Sequence, residues 1–320
     1  MAKKENTRAP IDEIMKYLFG MSKETLINML NSLFKQDFSV DESVIIQTNS
    51  EFVDEAFDII RGDLFYVVLD GSKYHLHIEL QTRADGHMMI RLVSYDIKKA
   101  VENERLENKS GIVRYILPKT IVIHVEKGNS IPDNYEFELV DIKDDGSEEV
   151  IRRVVPVVKY WELTEKDLID QKLYPLLPLQ IFLLRGELKK YADEQDSENK
   201  RRLVRQIKDL TEKIIVEAKN LAEAGKINAG DDDRIVTALG RLIKYLNDQY
   251  NFDNDLEREV STVIESVFTT LEKKGIIKAN IATAEKMILK DKPLAEIIEF
   301  SGLTEKKIRQ LAKKMSKEIK

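Results

Sequence analysis

The chain contains no cysteine, so neither a disulfide framework nor a thiolate metal site can be built from it. Glycine occurs only 13 times in 320 residues and is spread thinly. No glycine-rich phosphate loop, dinucleotide fingerprint, zinc-ligand spacing or Ser/His/Asp order is present. Long apolar runs are missing too: nothing approaches the roughly 18 residues of a membrane-spanning helix. The opening MAKKENTRAP carries charge but no apolar stretch of the kind a signal peptide needs. Nor is there an excess of positive charge: 51 Lys and Arg against 57 Asp and Glu give a net charge of -6, which argues against wholesale nonspecific nucleic-acid binding but leaves room for a local basic cleft. These absences point to a cytoplasmic protein with no membrane partner. What is there, 42% hydrophobic and 34% charged residues, suits a soluble globular chain of one large or two moderate domains.

The stretch from Arg61 to Tyr95 is the most informative. Leu64 to Leu69 is aromatic and β-branched, as a strand is, and Asp70-Gly71 is a turn signal. Tyr74 to Gln81 alternates cleanly: Tyr74, Leu76, Ile78 and Leu80 share one face, and His75, His77, Glu79 and Gln81 the other. With a loop at Asp70-Gly71-Ser72, cross-strand partners have numbers that sum to about 142, which sets Asp63 opposite Glu79 with Cβ atoms roughly 4.5 to 5.5 Å apart. A two-residue loop would shift that sum by one. Two carboxylates so close repel, and a divalent cation between them reverses the sign. The residues alone also fit a plainer arrangement, in which the polar face is the wet side of an antiparallel sheet.

An Asp at the start of one hairpin strand, followed by Ile78-Glu79-Leu80-Gln81 on the next and by Arg91 and Tyr95 four residues apart on a helix, resembles the Rpn-type recombination-promoting nuclease and transposase family of the PD-(D/E)XK nuclease superfamily. A second region, with Asp12, Lys16, Leu18-Phe19-Gly20 and Lys23-Glu24, is similar to the N-terminal segment of the same family. The resemblance implies a restriction-endonuclease-like core and hydrolysis of DNA phosphodiester bonds. It implies Asp63, Glu79 and Gln81 as catalytic residues, with Asp63, Glu79 and the Leu80 carbonyl holding Mg2+, and Mn2+ as its substitute. Gln81 takes the place of the lysine most superfamily members carry, and Arg91 and Tyr95 would position phosphate. The alternative from another class is a catalytically inactive DNA- or partner-binding protein that keeps the nuclease fold.

In chain order, residues 1–9 read as a disordered leader. Ile11 to Phe19 has helical spacing, and Ser22 caps a second helix with Thr25, Leu26, Met29, Leu30 and Leu33 as its buried stripe. Residues 40–60 read as a connecting strand or loop. Met88, Met89, Leu92, Val93 and Ile97 lie at core-like spacing on a helix, and Arg91 and Tyr95 share one of its faces. The run Lys119 to Val125 reads as a buried central strand, and Tyr135 to Ile142 and Glu149 to Val158 as further strands. This order is that of an α/β core with a mixed central sheet flanked by helices, followed by an all-α C-terminal region. Boundaries are expected at 10–185 for the nuclease-like domain, 186–278 for a helical region and 279–320 for a small tail. Asp231-Asp232-Asp233, at a helix start, is better explained by the helix dipole than by a metal. In the tail, Gly302-Leu303-Thr304-Glu305 is similar to the turn of a helix-turn-helix. From Glu305 to Lys320 there are seven Lys or Arg against two Glu, a basic end on an acidic chain. DNA is the expected partner, and a homo-oligomer is compatible with the sequence.

Overall fold

The structure, a computed structural model, describes residues 9–48, 51–53, 59–61, 64–81, 86–103, 106–107, 113–128, 130–192, 198–228, 230–250, 252, 258–259, 261–263, 265, 280–315 and 317. The chain divides into two compact units, Met1–Val260 and Ser261–Lys320.

The first unit is built on a mixed six-stranded sheet. Its strands are β1 (Val44–Thr48), β4 (Leu64–Asp70), β5 (Ser72–Gln81), β8 (Lys119–His124), β9 (Asn134–Ile142) and β10 (Glu148–Lys159), in the order β1-β4-β5-β8-β10-β9. Two short pairs stand apart, β2 (Glu51–Val53) with β3 (Ile59–Arg61) and β6 (Leu106–Glu107) with β7 (Val113–Arg114). The β4–β5 hairpin turns at Gly71, whose φ of 61° is the left-handed conformation that suits a residue without Cβ. Its register pairs Asp70 with Ser72, Leu69 with Lys73 and Leu64 with Ile78, a constant sum of 142. Residues 40–60, expected as a connection, contribute the edge strand β1, which pairs antiparallel with β4.

β5 and β8 run parallel, as do β8 and β10. A parallel pair needs a crossover, and helix α3 (Met88–Asn103) supplies the one from β5 to β8. It lies over the sheet face that carries His77 and Glu79, and its Met88 and Leu92 pack on Val122 and Val155. The other face is apolar and holds Tyr66, Leu76, Ile78 and Ile123, all buried. Tyr66 donates from its hydroxyl to the Phe19 carbonyl at 3.1 Å, just beyond α1 (Ala9–Leu18). β5 is therefore covered on both faces, and β8 shows the near-continuous burial of a central strand.

Helix α2 (Lys23–Phe34) is capped by Ser22, as expected. After a short helix α4 (Glu165–Asp170), the Pro-punctuated stretch Tyr174–Leu184 winds as a buried 3-10 helix. It packs against α2, α6 (Glu198–Glu223) and α7 (Asp231–Tyr250), and α5 (Arg185–Tyr191) touches both it and α6. Asp231 at the start of α7 accepts from Ser22 N at 2.9 Å, from Ser22 Oγ and, at 2.7 Å, from Thr25 Oγ1. Asp232 and Asp233 both accept from Lys219 Nζ. The acidic triplet thus ties the start of α7 to α2 through Asp231 and to Lys219 of α6 through Asp232 and Asp233. At the far edge, the outer half of the β9–β10 hairpin is exposed, with Val140 paired to Val150 and Leu139 to Ile151.

Among its described residues, the second unit has helical residues 261–263 and 265 and the helical stretches α8 (280–289), α9 (Leu294–Ser301) and α10 (Glu305–Lys314). Its core is Ala284, Ile288, Ile297, Ile308, Leu311 and Ala312.

Candidate functional site

Of the expected residues, Asp63 lies outside the described residues, and so does the side chain of Asp12. Glu79, Gln81, Arg91 and Tyr95 are described, and the fold brings all four together. Glu79 and Gln81 sit in the last three residues of β5, on one face, beside the C-terminal end of its parallel neighbour β8. In open α/β sheets the carboxyl ends of parallel strands are where ligands bind. Arg91 and Tyr95 lie on the first half of α3, one turn apart, with the Arg91 guanidinium 5.6 Å from the Tyr95 ring centre.

Glu79 has no exposed surface. Its Oε1 accepts from Gln81 Nε2 at 2.8 Å and from the Arg91 guanidinium. Its Oε2 has no hydrogen-bond partner among the described residues, and His77 Nε2 lies 3.4 Å from it. That separation is an ion-pair distance but is long for a hydrogen bond.

The polar face of β5 is therefore not the wet side of a sheet: His75, His77, Glu79 and Gln81 are all buried. α3 covers them, and it brings its own charges. His77 Nδ1 is 3.0 Å from Asp96 Oδ1, Thr120 Oγ1 donates to the same oxygen at 2.7 Å, and Arg153 donates to Asp96 Oδ2 at 2.9 Å. The imidazole stacks on Phe65 with ring centres 4.1 Å apart and nearly parallel. Burial works against charging His77, but the hydrogen bond to Asp96 and the two nearby carboxylates, Glu79 and Asp96, outweigh it, and its pKa is pushed up to about 9. Two buried carboxylates, Glu79 and Asp96, are thus bracketed by Arg91, His77 and Arg153 in one continuous chain of contacts. Removing one member of such a chain leaves an uncompensated charge, so the array fixes its own geometry.

Next to it, His124 pairs in register with Gln81. Its Nε2 is 2.9 Å from the Tyr135 hydroxyl, and burial lowers its pKa to about 4, so the ring is neutral at ordinary pH.

Asp96, Thr120 and Arg153 were not among the residues expected from the sequence. A signal for Asp96 existed: the buried stripe Met88, Leu92, Tyr95 and Lys99 follows helical spacing, and Asp96 falls inside it. Thr120 and Arg153 carry no local signal, because only the parallel pairing of distant strands brings them near.

Among the described residues, no three His, Asp or Glu side chains are grouped so as to hold a metal ion. No protein-family model matches the chain, and no curated protein or solved structure matches it either. No described helix is long and apolar enough to cross a membrane.

Proposed function

We propose that the chain is a Mg2+-dependent endonuclease that hydrolyses DNA phosphodiester bonds, the activity implied by its resemblance to the Rpn-type family and a restriction-endonuclease-like reading of its α/β sheet. One observation supports this most. Glu79 is a fully buried carboxylate at the carboxyl end of parallel strands, and one of its oxygens is without a hydrogen-bond partner among the described residues. His77 Nε2 faces that oxygen at ion-pair distance, 3.4 Å, without a hydrogen bond, and a hard divalent cation is a natural ligand for a buried carboxylate oxygen so placed. Mg2+ would take oxygen from Glu79 and the Leu80 carbonyl, with Asp63, outside the described residues, as the second carboxylate and Mn2+ as the substitute ion. When bound, the ion would polarise the scissile phosphate and lower the pKa of an attacking water.

The other residues have duties that follow from their chemistry. Gln81 holds Glu79 Oε1 at 2.8 Å. Its amide can orient a water by donating and accepting, but it adds no positive charge. Arg91 neutralises Glu79, and its planar guanidinium is the group best shaped to grip a phosphate through two parallel hydrogen bonds. Tyr95, packed under Arg91, fixes that guanidinium from below. A cytoplasmic location belongs to this proposal, since a chain without cysteine suits a reducing compartment.

A second reading has one observation in its favour. Glu79 is already ion-paired with Arg91 and bonded to Gln81, an arrangement that also suits a catalytically silent DNA- or partner-binding protein. Calorimetric titration of Mg2+ and of Mn2+ into the wild type, Asp63→Ala and Glu79→Ala separates the two. The nuclease reading expects binding heat in the wild type that is lost in both variants. Heat that persists in both variants, or is absent from the wild type with either ion, moves the assignment to the silent protein.

A further inference from the structure

The second unit, Ser261–Lys320, ends in a helix whose charge runs against that of the chain. α9 finishes at Ser301, and Gly302 closes it with φ 63°, donating its N–H to the Ile298 carbonyl. Leu303 and Thr304 complete a three-residue connection, and α10 starts at Glu305. Two helices joined by a short glycine-bearing turn form the helix-turn-helix arrangement. α8 supplies the third side of a small core through Ala284 and Ile288.

This core decides which way α10 faces. Ile308, Leu311 and Ala312 are buried in it, while Lys306, Lys307, Arg309, Gln310, Lys313 and Lys314 are all exposed. Over α10 the cations number five (Lys306, Lys307, Arg309, Lys313, Lys314) against one acid, Glu305, which is bonded to Arg309 at 2.7 Å. The whole chain carries a net charge of -6, so this concentration is local.

We propose that the outer face of α10 docks on duplex DNA. A basic helix presented by a helix-turn-helix has the width the major groove accepts, about 10–12 Å against a groove about 12 Å wide. Lysines on both flanks of the exposed face meet phosphates on either side of a groove and release counterions. Gln310, between them, carries the amide that can bond an adenine edge at two points. The surface is independent of Glu79, so the inference goes beyond the nuclease reading and does not rest on it.

The test is a fluorescence-anisotropy titration of the full chain with a short labelled duplex in EDTA, over a series of salt concentrations. Lys306→Gln/Lys307→Gln/Lys313→Gln is compared with the wild type, a Lys143→Gln/Lys166→Gln control at exposed lysines of the first unit, and a Lys306→Arg/Lys307→Arg/Lys313→Arg variant. The proposal expects the glutamine triple variant to bind roughly tenfold or more weakly, with the log–log salt slope reduced by about 2 to 3. The arginine variant and Lys143→Gln/Lys166→Gln bind as the wild type does. Circular dichroism checks the fold, and Lys307→Gln alone carries the comparison where the triple variant melts early. Unchanged duplex binding by the glutamine variants overturns the proposal. So does tighter wild-type binding to single-stranded RNA or to an acidic polypeptide of similar length than to the duplex, or an equal loss of duplex binding in Lys143→Gln/Lys166→Gln.

Discussion

At the scale of single residues, Glu79 and Arg91 are a coupled buried pair, and their energetics can be measured without any substrate. Arg91→Ala strands the Glu79 carboxylate in a site with no solvent exposure, at a cost of about 3 kcal/mol by chemical denaturation. In Arg91→Ala/Glu79→Ala the loss is smaller than the sum of the two single losses, because each single variant includes the penalty of the partner left behind. Additive losses would show that the pair is not coupled. His124 gives a pH prediction. Its folded pKa, about 4, lies below the ordinary value of 6.5, so its contribution to stability is complete above pH 6.5 and is lost as pH falls toward 4. His124→Gln therefore flattens the acid limb of stability against pH between about 6.5 and 4. An acid limb as steep as that of the wild type would contradict this. The positions of Glu79, Gln81, Arg91 and Tyr95 were legible from spacing, since strand and helix periods decide which residues share a face. Their burial was not: a strand that alternates His75, His77, Glu79 and Gln81 with apolar residues looks half wet until something charged covers it.

At the scale of elements, the acidic start of α7 separates structure from chemistry. Asp231→Ala removes the acceptor of Ser22 N, Ser22 Oγ and the fully buried Thr25 hydroxyl, and should lower stability by about 3 kcal/mol. Asp233→Ala, at an exposed side chain two residues on, should change stability by less than about 0.5 kcal/mol. Equal effects in thermal melts would remove Asp231 from its role as the tie between α2 and α7. The β4–β5 hairpin was legible to the residue because both its turn signal and its alternation are local, and Leu64 pairs with Ile78 at the expected sum. Residues 40–60 read from sequence as a connecting strand or loop, because the short apolar run Val44-Ile45-Ile46 carries no local signal that it pairs with β4. The parallel alignment of β5 with β8, which sets His124 beside Gln81, depends on a crossover through α3 that no local pattern encodes.

At the scale of the whole molecule, the account assigns hydrolysis to the first unit and duplex docking to α10 of the second. Such an arrangement is tested by dissociating the two. Glu79→Ala should lose cleavage and keep DNA binding, and the α10 glutamine variant should lose binding while its cleavage falls only through weaker capture of substrate, an effect that excess DNA restores. The α9–α10 pair was legible because Gly302-Leu303-Thr304 punctuates two strongly patterned helices, and its basic face is visible in composition alone, whereas the second unit begins at Ser261 and not at the expected 279. The measurement that bears most directly on the central claim is plasmid nicking in Mg2+ by wild type, Asp63→Ala and Glu79→Ala, each first shown to be folded by circular dichroism. The account predicts nicking by the wild type that EDTA abolishes and that neither variant retains. Nicking that persists in either folded variant, or a wild type that fails to nick in both Mg2+ and Mn2+, would contradict it.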